Sequence, residues 1–417
     1  MSATKQELSA TLAANAPVRG GWEAPDTASR VLRRMLALED FEDAARRILP
    51  RPIFGYVSGG AETNAALRGN RAAWDEIALV PRTLVDVSAR AQTSSLFGRT
   101  YDSPFGIAPM GGTSMAAYEG DLALARAAAA ANIPMLLSGA ALTPLERVRE
   151  AGATAWFQCY LPGEDGPITQ LVDRCARAGY EILCLTVDVP VLANRENNVR
   201  SGFNNPLRLT PRLAWDGLVR PRWLFGTLLH TLWVHGMPHT ENMGHRVPLF
   251  SRTERRERGP RDRLSWKHLE QMRRLWKGKL VVKGVLDRED ARLAREAGAD
   301  GVIVSNHGGR QLDGAIAPLR ALPGVVEAAR GITVMMDSGV RRGTDVLKAL
   351  ALGAQFVFIG RPFLYAAAVA GEAGVAHAIR LLHDEIDRDM ALLGINTLSE
   401  ITRERLAPAR GADFLTR

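Results

Sequence analysis

Cysteine is scarce in this sequence. The 417 residues hold three, Cys159, Cys175 and Cys184, with no C-x-x-C pair and no histidines at zinc spacing. That leaves no basis for a disulfide framework or a cysteine-based zinc site, and a reducing, cytoplasmic setting is expected. Long apolar runs are missing too. The richest stretch, residues 122–137, is interrupted by Arg126, Asn132 and Pro134, short of the roughly 18 apolar residues a spanning helix needs. Residues 1–21 show neither the apolar core nor the cleavage site of a secretory leader. No G-x-G-x-x-G follows any apolar run, which weighs against a classical dinucleotide-binding sheet. Negative charge is in deficit, with 45 acidic against 53 basic side chains, for a formal net charge of +8. The excess is mostly arginine spread along the chain. That is the pattern of a solvated surface, although anionic lipid or nucleic acid would also attract it.

What is present is an ordinary globular composition, 46% hydrophobic and 24% charged, organised in a rhythm. Residues 1–34 read as an N-terminal arm. A helical pattern runs over 35–48, with Leu36, Leu38, Phe41, Ala44 and Ile48 near one face, and Pro50 and Pro52 end it. After the turn-rich segment 58–62, short apolar runs recur at 105–109, 135–139, 155–160, 182–188, 280–285, 301–306, 333–339 and 356–360. Helical stretches at 121–131, 168–178, 287–296, 344–352 and 364–370 separate most of them. Eight apolar strands alternating with helices imply a parallel sheet covered on both faces. Eight is also the number that closes a (β/α)8 TIM barrel; a doubly wound open sheet is the competing topology. The expected organisation is one barrel domain over 35–405 with a tail over 406–417. After strand four about ninety residues intervene where roughly a dozen would serve, so 189–265 reads as an insertion.

Active sites of such barrels form at the carboxyl ends of the strands. Those ends carry Pro109-Met110-Gly111, Ser138, Gln158-Cys159-Tyr160, Thr186-Val187-Asp188, Lys283, the stretch 305–313, Asp337-Ser338-Gly339-Val340-Arg341 and Gly360-Arg361. The last two ends combine glycine backbone with arginine forks, as a phosphate site requires. The alternative is that Arg341 and Arg342 only cap a turn. The densest signal is Ser305-Asn306-His307-Gly308-Gly309-Arg310-Gln311-Leu312-Asp313. His307 is suited to take a proton near neutral pH. Arg310, three residues on, can grip a carboxylate with two parallel hydrogen bonds. The paired glycines let backbone approach a flat ligand.

Together these residues resemble the FMN-dependent α-hydroxy acid dehydrogenase and oxidase family, over roughly residues 35–405. The resemblance implies FMN as cofactor and oxidation of a small L-2-hydroxy acid, lactate- or mandelate-like, to the 2-oxo acid. Electrons would pass to a quinone or a cytochrome; an oxidase that hands them to O2 and makes H2O2 is the nearest rival, ahead of a flavin-barrel isomerase or a non-catalytic flavin scaffold. It further implies that His307 takes up the substrate proton and Asp188 stabilises its charged form. Arg310, Tyr56 and Arg195 would hold the substrate, with Tyr160 near its hydroxyl and Lys283 beside the flavin. Pro109, Met110, Gly111, Ser138, Gln158, Thr186 and Ser305 match flavin contacts, and Asp337, Gly339, Arg341, Gly360 and Arg361 match the ribityl-phosphate site. A homotetramer is also implied. Two positions depart from glycolate oxidase and several other oxidases: Ala140 replaces a bulky tryptophan, leaving room for a larger side chain, and Gly111 replaces an alanine near the flavin.

Within the insertion, Arg212, Arg220 and Arg222 flank Trp215 and Trp223, an apolar stretch runs on to Trp233 and Val234, and a basic tract spans 252–263. Aromatics beside arginines suit an anionic membrane surface, contacted through 207–259 on the inner face of the cytoplasmic membrane. The alternatives are a lid that packs Trp223, Leu228 and Trp233 onto the barrel, or a site for a partner protein. His230, His235, His239 and His245 also fall here. Gly236 and Pro238 break the i,i+4 spacing of His235 and His239, so no metal site is expected. No recognised nucleic-acid module accompanies the basic residues.

Overall fold

Eight parallel strands close into a barrel: β1 (Phe105–Ile107), β2 (Met135–Ser138), β3 (Ala155–Cys159), β4 (Ile182–Thr186), β5 (Lys279–Val285), β6 (Gly301–Val304), β7 (Thr333–Met336) and β8 (Phe356–Ile359). Closure is made where Val357 of β8 pairs with Phe105 of β1. This computed structural model describes residues 30–152, 154–204, 207–208, 210–244, 246–251 and 261–409. The open-sheet alternative is thereby discarded: eight strands buried on both faces have no edge left to cover.

Alternation along the strands divides the core in two. Leu136, Trp156, Val281, Ile303, Met335 and Phe358 fill the interior, whereas Phe105, Leu137, Phe157 and Leu183 pack outward against helices. Gly106 has no side chain because a Cβ there would lie 2.8 Å from the Phe358 ring and 2.5 Å from the Pro134 carbonyl. A hairpin of Ser94–Leu96 with Arg99–Tyr101 closes the amino-terminal end of the barrel, sending Leu96 and Tyr101 into the interior cluster. The opposite end is left for the strand-to-helix loops.

Several sequence expectations are corrected at the periphery. The first helix covers Asp40–Ile48, not 35–48, because the Asp40 carboxylate folds back to accept hydrogen bonds from the Leu36 and Ala37 amides. Leu36, expected on the apolar face, is exposed. Pro50 and Pro52 end that helix but also begin another, Arg51–Ser58, since proline fits a first turn whose amides lack partners anyway. Residues 406–409, read as tail, are held to the domain: Leu406–Pro408 pairs with Ile77–Leu79 and the Ala409 amide reaches Glu76. Residues 1–29 of the expected arm and 410–417 of the expected tail lie outside the described residues. The helix Arg361–Leu393, bent at Ala370 and Gly371, is apolar enough to cross a membrane by composition, yet 67% of that stretch is buried in the fold. Its apolarity belongs to the core.

The insertion builds Glu196–Ser201, Pro211–Leu218 and a continuous helical run from Pro221 to His235, π-helical over Leu224–Leu229. Trp223 is buried and donates its indole N–H to the Met115 carbonyl at 2.8 Å. Leu228 also packs on the core. Trp233, which the lid alternative would pack with them, is 86% exposed, and Trp215 and Phe225 are 65% exposed. The run stops at Gly236, which takes φ +71. His235 sits 3.1 Å from Glu119 and 3.2 Å from the Tyr118 hydroxyl. His245 and most of the basic tract, 252–260, lie outside the described residues.

Candidate active site

The strand ends enclose one cavity of about 460 Å³, within the range of a small-molecule or cofactor site. The chain builds it from short loops whose backbones are held in unusual conformations. His307, Gly308 and Gly309 run left-handed at φ +58, +65 and +73. For a histidine that conformation costs energy and persists only where the surroundings enforce it. Here Ser305 Oγ accepts from the His307 amide, and the Asn306 carboxamide accepts from the Gly309 amide while exchanging two bonds with Asn70. Asp313 ties the same loop to the Thr63 amide and hydroxyl and the Ala66 amide, and these bonds, the Thr63 hydroxyl foremost, hold its carboxyl down at about 2.

His307 Nδ1 lies 2.8 Å from Asp188 Oδ1, and its Nε2 lies 3.5 Å from the Tyr160 hydroxyl. Asp188 comes this close because Gly284 (φ +107) faces it; a Cβ there would lie 2.6 Å from the Asp188 Cβ. Burial alone would raise the Asp188 carboxyl, but its interaction with His307, with Lys283 nearby, outweighs it and holds it below the usual carboxylate range. Burial pushes His307 down; Asp188 raises it, as expected from the sequence, but not enough, and the net shift is downward. The resting ring is therefore neutral, with Nδ1–H directed at the carboxylate and Nε2 open to accept. Burial, with Asp188 adding to it, pushes Tyr160 up to about 12, so it is a hydrogen-bond donor at neutral pH.

Cations surround the rest of the cavity. Lys283 Nζ is buried, 2.9 Å from Asp337 and 2.7 Å from Ser305 Oγ, and although burial opposes its charge the Asp337 and Asp188 carboxylates raise it above the ordinary lysine value. Arg310 donates to the Val57 and Gly59 carbonyls, with its guanidinium 5.0 Å from the Tyr56 ring. Arg361 donates to Val57, Gly308 and Gly59, and Arg341 to Val340. Among the described residues none of these three pairs with a carboxylate. Burial first, then repulsion from neighbouring arginines such as Arg195 and Arg71, pushes Arg310 down to about 9 and Arg361 to about 10, and lowers Arg341. Arginines remain charged at such values, so an entering anion would relieve the crowding. Arg342, by contrast, pairs with Glu385 and Glu39.

Of the residues singled out in the sequence, Tyr56, Pro109, Met110, Gly111, Tyr160, Thr186, Arg195, Lys283, His307, Arg310, Asp337, Gly339, Arg341, Gly360 and Arg361 line this cavity. Asp188 stands behind His307. Ser138, Gln158 and Ser305 are buried behind the wall: Ser138 Oγ donates to Gln158 Oε1, Gln158 donates to the Cys159 carbonyl, and Ser305 receives Lys283. Sequence reasoning missed Asn70, the cavity-lining Thr240, Asn242, Met243, Gly244 and Val247, and Arg261, which lies over Tyr160. Arg261 carries no motif and had been grouped with the basic tract.

A single model, described as FMN-dependent dehydrogenase, matches residues 45–408. The chain belongs to that family, and it is an FMN-dependent 2-hydroxy acid dehydrogenase. Its relatives include L-lactate dehydrogenase of Caulobacter sp. strain K31, 41% identical over 88% of this chain and 97% of that protein, and L-lactate dehydrogenase of Pseudomonas entomophila, 39% identical over 90% and 99%. Among solved structures it is similar to the monotopic membrane protein (S)-mandelate dehydrogenase, with a TM-score of 0.83 at 35% identity over 90% of this chain and all of the other. Mandelate oxidase is also similar, with a TM-score of 0.75 at 34% identity over 90% and 98%. The donor set fits FMN on its own terms. Arg341 and Arg361, rich in unspent positive charge, suit the phosphate, and the buried Lys283 suits the polar edge of a ring that gains electrons. The buried Thr186 Oγ1, which has no hydrogen-bond partner among the described residues, offers a further polar contact.

Proposed function

We propose that the protein oxidises an L-2-hydroxy acid of the lactate or mandelate type and passes the electrons to a quinone or cytochrome. The observation that carries this reading is that Tyr160 and His307, the latter backed by Asp188, face the same cavity as the Arg310 guanidinium, which pairs with no carboxylate among the described residues. FMN, when bound, supplies the two-electron acceptor. Arg310, with Arg195 and Tyr56, fixes the substrate carboxylate. Tyr160 donates to the substrate oxygen, and His307 Nε2 takes the proton the substrate gives up. Asp188, at Nδ1, keeps the tautomer and balances the imidazolium that forms. Lys283 would meet the flavin's polar edge, and Asp337, Gly339, Arg341, Gly360 and Arg361 would hold its phosphate end. Pro109, Met110, Gly111, Ser138, Gln158, Thr186 and Ser305 shape the wall beside it. Ala140 lines the cavity with only a methyl group, which leaves room for an aryl side chain.

The exposed rings of Trp215, Phe225 and Trp233 beside Arg212, Arg220 and Arg222 support peripheral attachment to an anionic membrane, on its cytoplasmic face, by way of residues 207–259. The similar (S)-mandelate dehydrogenase is a monotopic membrane protein, which supports this reading. A homotetramer remains the expected assembly. Anaerobic bleaching of the flavin by L-lactate and (S)-mandelate, then reoxidation in air, tests substrate and acceptor together: bleaching with slow reoxidation is expected, and rapid peroxide formation would favour an oxidase. Co-sedimentation with phosphatidylserine vesicles, before and after deletion of 207–259, tests attachment; equal partition would end that idea.

A further inference from the structure

Arg261 belongs to the insertion, yet its guanidinium lines the cavity and its Cζ lies 4.6 Å from the centroid of the Tyr160 ring. Its position is set by backbone. The 3-10 turn Arg261–Arg263 lies against the loop after β3, so closely that a Cβ on Gly163 would fall 2.5 Å from the Arg263 carbonyl carbon. A capped helix, Trp266–Leu275, follows at once and returns the chain to the barrel. On the cavity side Arg261 Nη2 reaches Met243 Sδ at 3.5 Å. The segment bearing Met243 is itself pinned, since Asn242 accepts from the Leu145 amide and donates to the Thr143 carbonyl. Tyr160 therefore has His307 at its hydroxyl and a cation on its face, the cation delivered by the insertion.

We propose that Arg261 is a positioning residue for Tyr160: it fixes the ring over the substrate and strengthens the hydroxyl as a hydrogen-bond donor through the face of the ring. A cation held against an aromatic face is attracted to its electrons, and drawing on those electrons makes the phenol more acidic. The direction of its influence on Tyr160 agrees, since Arg261 and Lys283 both act against the upward push of burial. The insertion is thereby coupled to the reacting end of the site, and not only to the surface.

This inference rests on the proposed oxidation, and the test separates the two. Arg261→Met keeps the length and removes the charge; Arg261→Lys keeps the charge. Each is made in the parent and in Tyr160→Phe, with FMN occupancy checked by absorbance. In the parent, Arg261→Met is expected to lower the rate of anaerobic flavin reduction about tenfold with less than a twofold change in KM, and Arg261→Lys to restore most of it. In the Tyr160→Phe background the same change is expected to cost less than twofold. Equal losses in both backgrounds would overturn the inference, because Arg261 would then act without Tyr160. Binding of oxalate, a non-reducing analogue read from the flavin spectrum, gives the same cycle without turnover. If no 2-hydroxy acid reduces the flavin at all, the functional reading fails while the oxalate cycle still decides the role of Arg261.

Discussion

Replacing Asp188 with asparagine isolates what the carboxylate contributes, because the shape is retained and the charge is lost. Asparagine can still accept from His307 Nδ1–H at the observed 2.8 Å, so the tautomer survives. What disappears is the anion that balances the imidazolium formed when His307 takes the substrate proton. A hydrogen bond to a charged partner contributes about 1.5–3 kcal/mol, and each 1.36 kcal/mol is tenfold in rate, so flavin reduction should slow roughly 10- to 150-fold. The pH dependence gives the sign. Catalysis needs neutral His307, so kcat/KM rises with pH through the histidine pKa, which burial holds below its ordinary value while Asp188 pulls it up. Without Asp188 the upward pull is gone, the pKa falls further, and the acid limb moves to lower pH even as the plateau drops. Stopped-flow reduction by L-lactate or (S)-mandelate across pH measures both. An unchanged plateau, or an acid limb moved to higher pH, would refute the assigned role.

Two further outcomes are expected. Lys283→Met leaves the buried Asp337 carboxylate without its 2.9 Å partner, which should destabilise the fold by about 3–5 kcal/mol and weaken flavin retention, both visible in a thermal melt followed by flavin fluorescence. Arg310→Lys keeps a charge but loses the planar fork that matches a carboxylate; KM for the hydroxy acid should rise at least about tenfold, and an unchanged KM would remove Arg310 from substrate binding.

The barrel was legible because its strands are buried on both faces and so read as apolar runs; each of the eight lies where its run predicts, and all but the fifth stop one to three residues short of the polar end. The site was legible for the related reason that barrel chemistry gathers at those polar ends. Where packing rather than pattern decides, sequence reasoning faltered. Pro52 marks a helix start as readily as a stop, so the helix that delivers Tyr56 was not seen. Ser138, Gln158 and Ser305 stand at strand ends, but which strand-end side chains reach the cavity and which brace the wall depends on barrel tilt. Arg261 and, from the same insertion, Thr240, Asn242, Met243, Gly244 and Val247 come back to the site across a long excursion, a long-range closure that no local spacing encodes.

The most direct measurement is anaerobic flavin bleaching by L-lactate and (S)-mandelate in the parent and in His307→Asn, with FMN content matched. Loss of a general base should slow reduction by about 10²- to 10⁴-fold while the flavin stays bound. Reduction at the parent rate, or a protein that never retains FMN, would contradict the assignment.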